Sequence, residues 1–333
     1  MEDLAGKDCI VLMATHEDWE SICHILPIID KCFSDSGVIG HIIIVDDGSF
    51  QTEKKDSISR LKLNAIQDVE LVRLGCNQGN QRAMAIGLAH IAANRTCDFL
   101  VTMDSDNEDR PEFVRTLLEK CSALSQPTVV FAKRSKRSES ISFRILYFFY
   151  RMLFQFLTGQ TIMFGNFCAI PGEFVRRISF MSDLWAHFPA TIMRSGIPFD
   201  SIPSVRGTRL FGSGKMNTLK LVIHAFSGFS VYADYVAARL IILVGFFAVG
   251  FIFLFSIFLF VKIFTGHAFL IPGWASVMIT LFFLIFTILL GSALTILMLT
   301  LSLKSRPSLI PLLDYQRYVD EITTLYPLQT SDS

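Results

Sequence analysis

Phe99-Leu-Val-Thr-Met-Asp-Ser-Asp106 is the stretch that decides the fold class of this chain. Residues 99–103 are aromatic, aliphatic or β-branched, which predicts a short buried strand. The strand stops at two aspartates one residue apart, so both carboxylates lie at its carboxyl end, the edge where open α/β sheets bind ligands. Two carboxylates at this position are suitable ligands for Mg²⁺ or Mn²⁺, and the cation in turn can bind a diphosphate. A solvent-exposed acidic loop without a metal ion has the same sequence pattern.

Similar apolar runs recur through the first third of the chain and alternate with helical patterns. The predicted strands are Cys9–Ala14, His41–Asp46, Val69–Leu74, Phe99–Met103 and Thr128–Ala132. The predicted helices lie near Trp19–Lys31, Gln51–Leu63, Gln81–Asn94 and Glu112–Leu124. Regular alternation of this kind predicts an α/β fold with a mostly parallel sheet and helices on both faces.

The composition indicates a protein that is attached to a membrane. The chain has 333 residues, of which 51% are hydrophobic and only 18% are charged, and 31 of them are Phe. This is too apolar for an ordinary soluble protein. Basic and acidic residues number 30 each, and no basic stripe is interleaved with aromatic residues, so nucleic acid is not an expected partner. Seven Cys without paired spacing indicate reduced thiols.

Two apolar segments, Leu240–Val261 and Ala275–Leu303, are long enough to cross a bilayer as helices. Neither contains an acidic residue, which favours an anchor over a transporter or channel. Residues 265–273, which connect the two segments, contain no Lys or Arg. Basic residues instead flank the outer ends of the pair, and Lys262, next to the connection, is the one exception. By the positive-inside rule both termini are cytoplasmic. With no signal-peptide pattern at the start, we expect an integral membrane protein, most simply of a bacterial inner membrane, with its first domain in the cytoplasm.

A stretch expected at the membrane surface precedes these segments. Ile141–Leu157 is a helical pattern of large apolar residues with a narrow polar edge at Arg144, Arg151 and Gln155. It fits a membrane interface, although a core helix of the first domain has the same pattern. Residues 216–232 form a second, weaker amphipathic stretch. The predicted division is an α/β core at 1–140, a membrane-interface segment at 141–232, two transmembrane helices at 240–303 and a cytoplasmic tail at 304–333.

Three further loops follow parallel strands and should therefore meet the two aspartates at one sheet edge. They are residues 14–17, 46–49 and 75–80. A carboxylate of the second loop can accept a hydrogen bond from a base N–H or a ribose hydroxyl, and the glycines of the third let backbone approach a ligand. Each loop alone is also explained as a turn or a helix cap. Their joint spacing predicts a ligand site.

With these motifs the chain resembles the family 2 glycosyltransferases of GT-A fold, and among them the polyprenyl-phosphate glycosyltransferases related to dolichyl-phosphate mannose synthase. The signature Val-Asp-Asp-Gly-Ser stands at Val45–Ser49, and Asn77-x-Gly79 is also family-like. Where relatives have Pro-x-Tyr-Asn-Glu, this chain has Met13–Glu17 and retains only the glutamate. The resemblance implies that a nucleotide is bound by Ala14, Thr15, Glu17, Asp46, Asp47, Gly79, Asp104 and Ser105.

The resemblance extends to a metal loop. Relatives carry Asp-Ala-Asp-Leu-Gln-Asp-Pro-Pro-Glu where this chain has Asp104-Ser-Asp-Asn-Glu-Asp-Arg-Pro-Glu112, so Glu108 stands in place of a glutamine. It implies that Mg²⁺ or Mn²⁺ is held by Asp104, Asp106 and Glu108. Asp106 is then expected to be essential for catalysis.

A basic segment before the membrane is also family-like. Arg209-Leu-Phe-Gly-Ser-Gly-Lys215 is similar to an Arg-x-x-Gly-x-Ser-Lys segment, with Gly214 in place of the serine. The resemblance implies catalytic roles for Arg209 and Lys215, and for Arg134 after the fifth strand, in contact with phosphate groups. Ordinary positive-inside anchoring also explains Arg209 and Lys215.

The implied function is the transfer of one sugar, with inversion, from a nucleotide sugar to a polyprenyl phosphate in cell-envelope glycan synthesis. We expect a UDP-sugar donor and undecaprenyl or dolichyl phosphate as acceptor. The alternatives are a family 2 transferase acting on another lipid-linked glycan, and a non-catalytic membrane adaptor that retains the GT-A fold. A processive synthase is disfavoured because the chain has no Gln-x-x-Arg-Trp segment. A homo-oligomer is compatible with the sequence.

Overall fold

The computed structural model describes residues 4–50, 53–134, 141–161, 164–211, 218–265, 273–304 and 308–327. The chain divides into two compact units. The first comprises Met1–Phe148, Ile162–Val231 and Leu309–Ser333, and the second comprises Phe149–Thr161 and Tyr232–Ser308. The functional division expected at residues 140, 232, 240 and 304 stays a prediction, because packing contacts group segments without assigning roles to them.

The first unit is built on an eight-stranded sheet with the order β7-β5-β6-β4-β1-β2-β3-β8. The strands are β1 (Asp8–Thr15), β2 (Ile39–Asp46), β3 (Ile66–Leu74), β4 (Phe99–Asp104), β5 (Val129–Arg134), β6 (Cys168–Pro171), β7 (Phe199–Ser204) and β8 (Val319–Tyr326). Four neighbouring strands, β4, β1, β2 and β3, run parallel. The α/β class and the five predicted strands are confirmed, with strand ends that differ from the prediction by at most three residues.

The apolar run of β1 explains why this strand lies at the centre. Cys9, Val11 and Met13 pack into the core on one face of the sheet, and the alternate residues, including Ile10 and Leu12, pack into the core on the other face. A strand buried on both faces needs apolar residues at successive positions, which is the pattern seen here. Helices therefore cover both faces, and only the strand ends are left to carry polar residues.

Strands β6, β7 and β8 were not predicted. The four residues of β6 run antiparallel between β4 and β5, so β5 is not the direct neighbour of β4. Strand β8 runs antiparallel along β3 and covers that edge of the sheet. Both strands pair with partners that are remote in sequence. β6 has only four residues and half of the residues of β8 are polar, so no local apolar periodicity marks them.

Ten α-helices lie in the described ranges. They are α1 (Trp19–Ser36), α2 (Asn80–Asn94), α3 (Phe113–Ser122), α4 (Ile141–Thr158), α5 (Gly172–Ser179), α6 (Phe188–Arg194), α7 (Thr218–Val231), α8 (Ala233–Thr265), α9 (Trp274–Lys304) and α10 (Pro311–Asp314). The α-helix predicted over residues 51–63 is wrong in type, because Glu53–Arg60 forms a 3₁₀ helix. That segment buries Ile58 but is otherwise mostly polar, so it lacks the apolar stripe that holds an α-helix to a core.

The second unit contains the two long apolar helices. Ala233–Val261 and Trp274–Leu303 have the length and composition to cross a membrane, with mean hydropathies of 2.9 and 2.6. They pack against each other through aromatic rings, and the Phe251 and Phe282 centroids lie 3.6 Å apart. Most of their other side chains are exposed, which is expected of helices surrounded by lipid and not of helices in a soluble core.

A network of ion pairs ties β3 to α2 in the first unit. The Glu70 carboxylate lies 2.5 Å from His90 Nε2 and accepts a hydrogen bond from Arg95. Arg95 also donates to Asp68 at 2.9 Å. Burial alone raises the pKa of Glu70, but the hydrogen bonds from His90 and Arg95 outweigh burial and the net shift is downward. Glu70 therefore stabilises the fold in its ionised form.

We expect Glu70→Gln to lower the stability of the fold by about 1–3 kcal/mol at pH 7, since a buried charged hydrogen-bond acceptor is lost. The folded-state pKa lies below the unfolded one, so the contribution of Glu70 is present above pH ~4.3 and disappears as the pH falls further. Thermal unfolding between pH 7 and pH 3.5 measures both effects. Glu173→Gln, at an exposed position of α5, is the control. An equal loss of stability from pH 7 to pH 3.5 in the Glu70 variant and in the wild type would contradict the assignment.

Candidate active site

The predicted loops meet at the carboxyl edge of the sheet. In the parallel register Thr15 lies beside Asp46 and Ala14 lies beside Asp104, so the first two loops and the Asp-x-Asp pair start at the same level. The third loop follows β3 and leads into α2. The topology thus brings together segments that are separated by up to ninety residues in the chain, as the sequence pattern indicates.

Asp47 organises the third loop. Its carboxylate accepts hydrogen bonds from the N–H groups of Gln78 at 2.6 Å and Gly79 at 2.9 Å. Burial raises the pKa of Asp47, and these two hydrogen bonds partly counter that shift. At Gly48, φ is +69° and an added Cβ would lie 2.8 Å from the Asn77 nitrogen. Both Asp47 oxygens hold the loop that frames the site, so a direct nucleotide contact by Asp47 stays a prediction.

Asp46 is arranged differently. Its Oδ1 accepts a hydrogen bond from the Ser49 N–H at 3.1 Å, whereas Oδ2 is buried and finds no partner among the described residues. The hydroxyl oxygen of the neighbouring Thr15 is also buried and has no hydrogen-bond partner among the residues that the structure describes. Buried polar atoms are nearly always hydrogen-bonded in folded proteins. These two atoms belong to residues that are neighbours in the register of β1 and β2, at the ligand edge of the sheet, and they are candidate contacts for the polar groups of a nucleotide.

The first loop is fastened to the second. The Glu17 N–H donates to Ser49 Oγ at 2.9 Å, and the Glu17 carboxylate accepts from the Phe50 N–H. His16 Nδ1 lies 3.0 Å from the Asp47 carbonyl oxygen. Glu17, predicted to contact the nucleotide, therefore acts in this structure by holding two site loops together.

The Asp-x-Asp loop is shaped by its own backbone. Asp109 is buried, and its Oδ2 accepts a hydrogen bond from the Asp104 N–H at 3.0 Å. The Glu108 N–H donates to Asp106 Oδ1 at 3.0 Å. The Asn80 amide from the third loop donates to Asp104 Oδ1 at 3.2 Å. Asp104 and Asp106, two of the three predicted metal ligands, are thus held at the sheet edge. Ser105, which separates them in the sequence, is buried.

Burial, followed by the negative charge of Asp104, raises the pKa of Asp106 to about 6. Keeping two neighbouring carboxylates ionised costs free energy because their charges repel, and a bound cation lowers that cost. No group of three or more His, Cys, Asp or Glu side chains is gathered for a metal ion within the described ranges. Two carboxylates nevertheless fit Mg²⁺ or Mn²⁺, because such ions take one or two protein carboxylates and complete their shell with water and substrate phosphates.

Residues 205–211 lie against the metal loop. The Gly207 N–H donates to the Glu108 carbonyl at 2.8 Å, and the Asn107 amide donates to the Thr208 carbonyl at 3.0 Å. The Arg206 guanidinium pairs with the Glu108 carboxylate. This chain therefore neutralises the glutamate that replaces the family's glutamine, and a metal contact by Glu108 stays a prediction.

Arg209 is the predicted phosphate-binding residue that the structure brings to the metal loop. Its Nη1 lies 3.0 Å from Asp106 Oδ2, and its Nη2 lies 2.5 Å from Asp18 Oδ1. Arg134 ends β5, and its side chain is outside the described residues, as is the whole of Lys215. Strand β5 runs in the same direction as β4 across β6, so the Arg134 backbone lies at the same sheet edge as Asp104.

Asp18, Arg206 and Asp109 belong to the site geometry but were not predicted. Asp109 had a local signal, because it follows the Asp-x-Asp pair within the same loop. Asp18 and Arg206 had none, since each finds its partner across a large sequence separation. Only the tertiary fold makes these pairs.

Gly207 is required by the close contact of the two segments. A Cβ added there would lie 2.1 Å from the Asn107 carbonyl oxygen. We expect Gly207→Ala to displace residues 205–211 and to lower the catalytic efficiency by about tenfold or more, because misplaced groups lose rate steeply. Steady-state kinetics with each substrate varied would measure it, and Gly165→Ala, where a Cβ meets nothing within 4 Å, is the control. Unchanged kinetics for Gly207→Ala would disprove the role of this contact.

The sheet order, the Asp-x-Asp pair at the end of a central parallel strand and the loops around it define the class of protein: a glycosyltransferase of GT-A fold. The sequence profile of glycosyl transferase family 2 matches residues 19–185, half of the chain. The chain belongs to this family.

Relatives and solved structures agree with this assignment. The uncharacterized glycosyltransferase YkcC of Bacillus subtilis (strain 168) is 26% identical over 250 residues, which cover 72% of each chain. The undecaprenyl-phosphate 4-deoxy-4-formamido-L-arabinose transferase of Klebsiella pneumoniae (strain 342) is 25% identical over 65% of this chain and 64% of that protein, slightly under two thirds. Mannosyl-3-phosphoglycerate synthase from Rubrobacter xylanophilus shares the fold, with a TM-score of 0.51 and 13% identity over 70% of this chain and 75% of that one.

Proposed function

We propose that this protein transfers a single sugar, with inversion, from a UDP-sugar to a polyprenyl phosphate at the cytoplasmic face of a membrane. The observation that carries the proposal is the contact of Arg209 with Asp106. It joins a cation-binding carboxylate, suited to the donor diphosphate, to a guanidinium suited to a phosphate. The sequence that carries Arg209 then leads into the membrane helices.

On the donor side, Asp104 and Asp106 would hold Mg²⁺ or Mn²⁺ at the end of β4. When bound, the cation supplies Lewis-acid neutralisation of the diphosphate as it leaves the sugar. The unpartnered oxygen of Asp46 and the hydroxyl of Thr15 are the groups that would receive the base or ribose. Asp47 and Glu17 keep the surrounding loops in place.

On the acceptor side, a phosphate monoester has a second pKa near 6, so it is mostly dianionic at neutral pH. Its oxygen is nucleophilic without a strong catalytic base. The work left to the protein is to position the phosphate and to balance its charge, which Arg209 can do through a charge-assisted hydrogen bond from its guanidinium. Arg134 and Lys215 are further candidates for the same task.

The acceptor assignment draws support from a relative and from the second unit. The Klebsiella pneumoniae protein is named for transfer to undecaprenyl phosphate. Two helices with the length and composition of membrane spans would keep the enzyme beside such a lipid. Basic residues flanking the outer helix ends favour a cytoplasmic first unit, and a bacterial inner membrane is the simplest location.

The test is an assay with purified protein, radiolabelled UDP-sugars, Mn²⁺ and undecaprenyl phosphate in detergent. We expect label in the lipid extract with one of the donors, and no label when a chelator removes the cation. Transfer to a lipid-linked glycan but not to undecaprenyl phosphate would replace the acceptor. Absence of any metal-dependent UDP binding by calorimetry would reject a catalytic role and leave a membrane adaptor.

A further inference from the structure

Asp18 has a contact that its position in the chain does not explain. It immediately precedes α1, the place where an aspartate commonly caps a helix, yet its side chain makes no capping hydrogen bond. Its Oδ1 lies 2.5 Å from Arg209 Nη2 instead, across a separation of 191 residues. Both side chains are mostly buried, each with 14% of its surface exposed.

Arg209 is held from three sides. Its Nε donates to the Phe211 carbonyl at 3.0 Å, Nη1 donates to Asp106 and Nη2 donates to Asp18. The guanidinium is planar and its donors have fixed directions, so three partners determine both its position and its orientation. Of the two acidic partners of Arg209, Asp106 is the one expected to coordinate the metal ion.

A cation on Asp106 competes with Arg209 for the same carboxylate. If Asp106 were the sole anionic partner of Arg209, the ion pair would either weaken cation binding to Asp106 or break when the cation bound, and Arg209 would then have no anionic partner to fix its position. Asp18 removes this conflict, because it keeps one side of the guanidinium paired while Nη1 is released. The released N–H would then be available to donate to a phosphate group.

We propose that Asp18 is a positioning residue for Arg209: it holds the guanidinium at the transfer site while Asp106 exchanges Arg209 for the cation. This inference rests on the proposed function and deepens it, since it names the group that keeps the phosphate-binding arginine in place. In this proposal Asp18 acts through Arg209 and not directly on the cation or the substrates.

The first test is kinetic. At saturating Mn²⁺, Asp18→Asn should raise the KM for undecaprenyl phosphate about tenfold, because a charge-assisted hydrogen bond to Arg209 is weakened. Under the same conditions it should leave the KM for the UDP-sugar within about twofold. Asp18→Glu, which keeps the charge, should recover much of the loss. Glu20→Gln, two residues further along at an exposed position of α1, removes the same charge and should behave as the wild type. An unchanged KM for the lipid in Asp18→Asn would overturn the proposal.

The second test needs no sugar transfer and measures the binding of Mn²⁺ alone by electron paramagnetic resonance. Asp18→Asn should weaken Mn²⁺ binding several-fold, because Arg209 then pairs with Asp106 only. Arg209→Gln should strengthen it, and adding Asp18→Asn to that variant should have little further effect. If Asp18→Asn weakens Mn²⁺ binding equally in both backgrounds, Asp18 acts only as a distant charge and the proposal fails. If the protein transfers no sugar but shows this coupling in Mn²⁺ binding, the proposed function is wrong, whereas the role of Asp18 in positioning Arg209 is still supported.

Discussion

Asp106→Asn is expected to abolish sugar transfer, lowering kcat/KM by at least ~10³-fold. Asp106 would share the cation with Asp104, and a bound metal contributes several kcal/mol to stabilising the charge that develops on the leaving diphosphate. An amide oxygen is a poor substitute for a carboxylate with such a hard cation. The transfer assay measures the loss, and calorimetry with UDP and Mn²⁺ should show a matching loss of metal-dependent binding.

A fall in activity could also come from unfolding, and Asp106 allows the two causes to be separated. Burial and the charge of Asp104 raise the pKa of Asp106 to about 6, so the ionised carboxylate is less stable in the folded than in the unfolded chain at pH 7. The neutral amide removes that cost. The metal-free variant should therefore unfold at or above the wild-type temperature.

Asp98 provides the matched control for Asp106→Asn. It lies at the opposite end of the same strand, just before Phe99, where it pairs with Lys7 and is 40% exposed. Asp98→Asn makes the same chemical change away from the ligand edge and should alter the rate less than twofold. Normal turnover by Asp106→Asn would remove the metal site from the mechanism, whatever the control shows.

Arg209→Ala is expected to have the second largest effect, a loss of about 10²-fold in kcat/KM for the polyprenyl phosphate. The variant removes the guanidinium that the structure brings to Asp106. It would thereby remove the charge-assisted hydrogen bond proposed between Arg209 and the acceptor phosphate. Metal-dependent UDP binding should persist, because Asp106 is then free for the cation. Arg209→Lys should recover little, since a single ammonium cannot pair with Asp18 and a phosphate in the same geometry.

The control for Arg209 is Arg176→Gln, at an exposed position of α5 that is not part of the site. It changes the net charge by the same amount and should leave both KM values unchanged. If Arg209→Ala lost donor binding and kept its KM for the lipid, Arg209 would serve the diphosphate and the acceptor assignment would have to move to Lys215 or Arg134.

Much of the first unit could be predicted from local pattern. β1 is apolar at successive positions, and the polar residues begin where the strand ends, so the chain itself marks the centre of a parallel sheet and its ligand edge. The Asp-x-Asp pair and the Val45–Ser49 signature lie at that edge for the same reason. Two long uninterrupted apolar runs likewise predicted α8 and α9 without reference to any other segment.

Elements without a local pattern were missed. β6 has four residues and half of the residues of β8 are polar, and both strands form because a partner strand far away in the chain supplies their hydrogen bonds. The segment Glu53–Arg60 was predicted as an α-helix but forms a 3₁₀ helix. The prediction depended on helical propensity, which does not show whether a mostly polar segment has an apolar face that can pack against the core.

The sequence by itself determined where strands β1 to β5 lie in the chain, the acidic pair at the end of β4 and the two apolar helices. Each of these depends on residues that are adjacent or regularly spaced, and such short-range patterns are visible in any single chain. Only the tertiary structure decided that Asp47 holds the third loop, that Arg206 pairs with Glu108 and that Asp18 shares Arg209 with Asp106. These contacts join segments that periodicity does not relate, so they arise when the folded sheet brings separate loops to one edge.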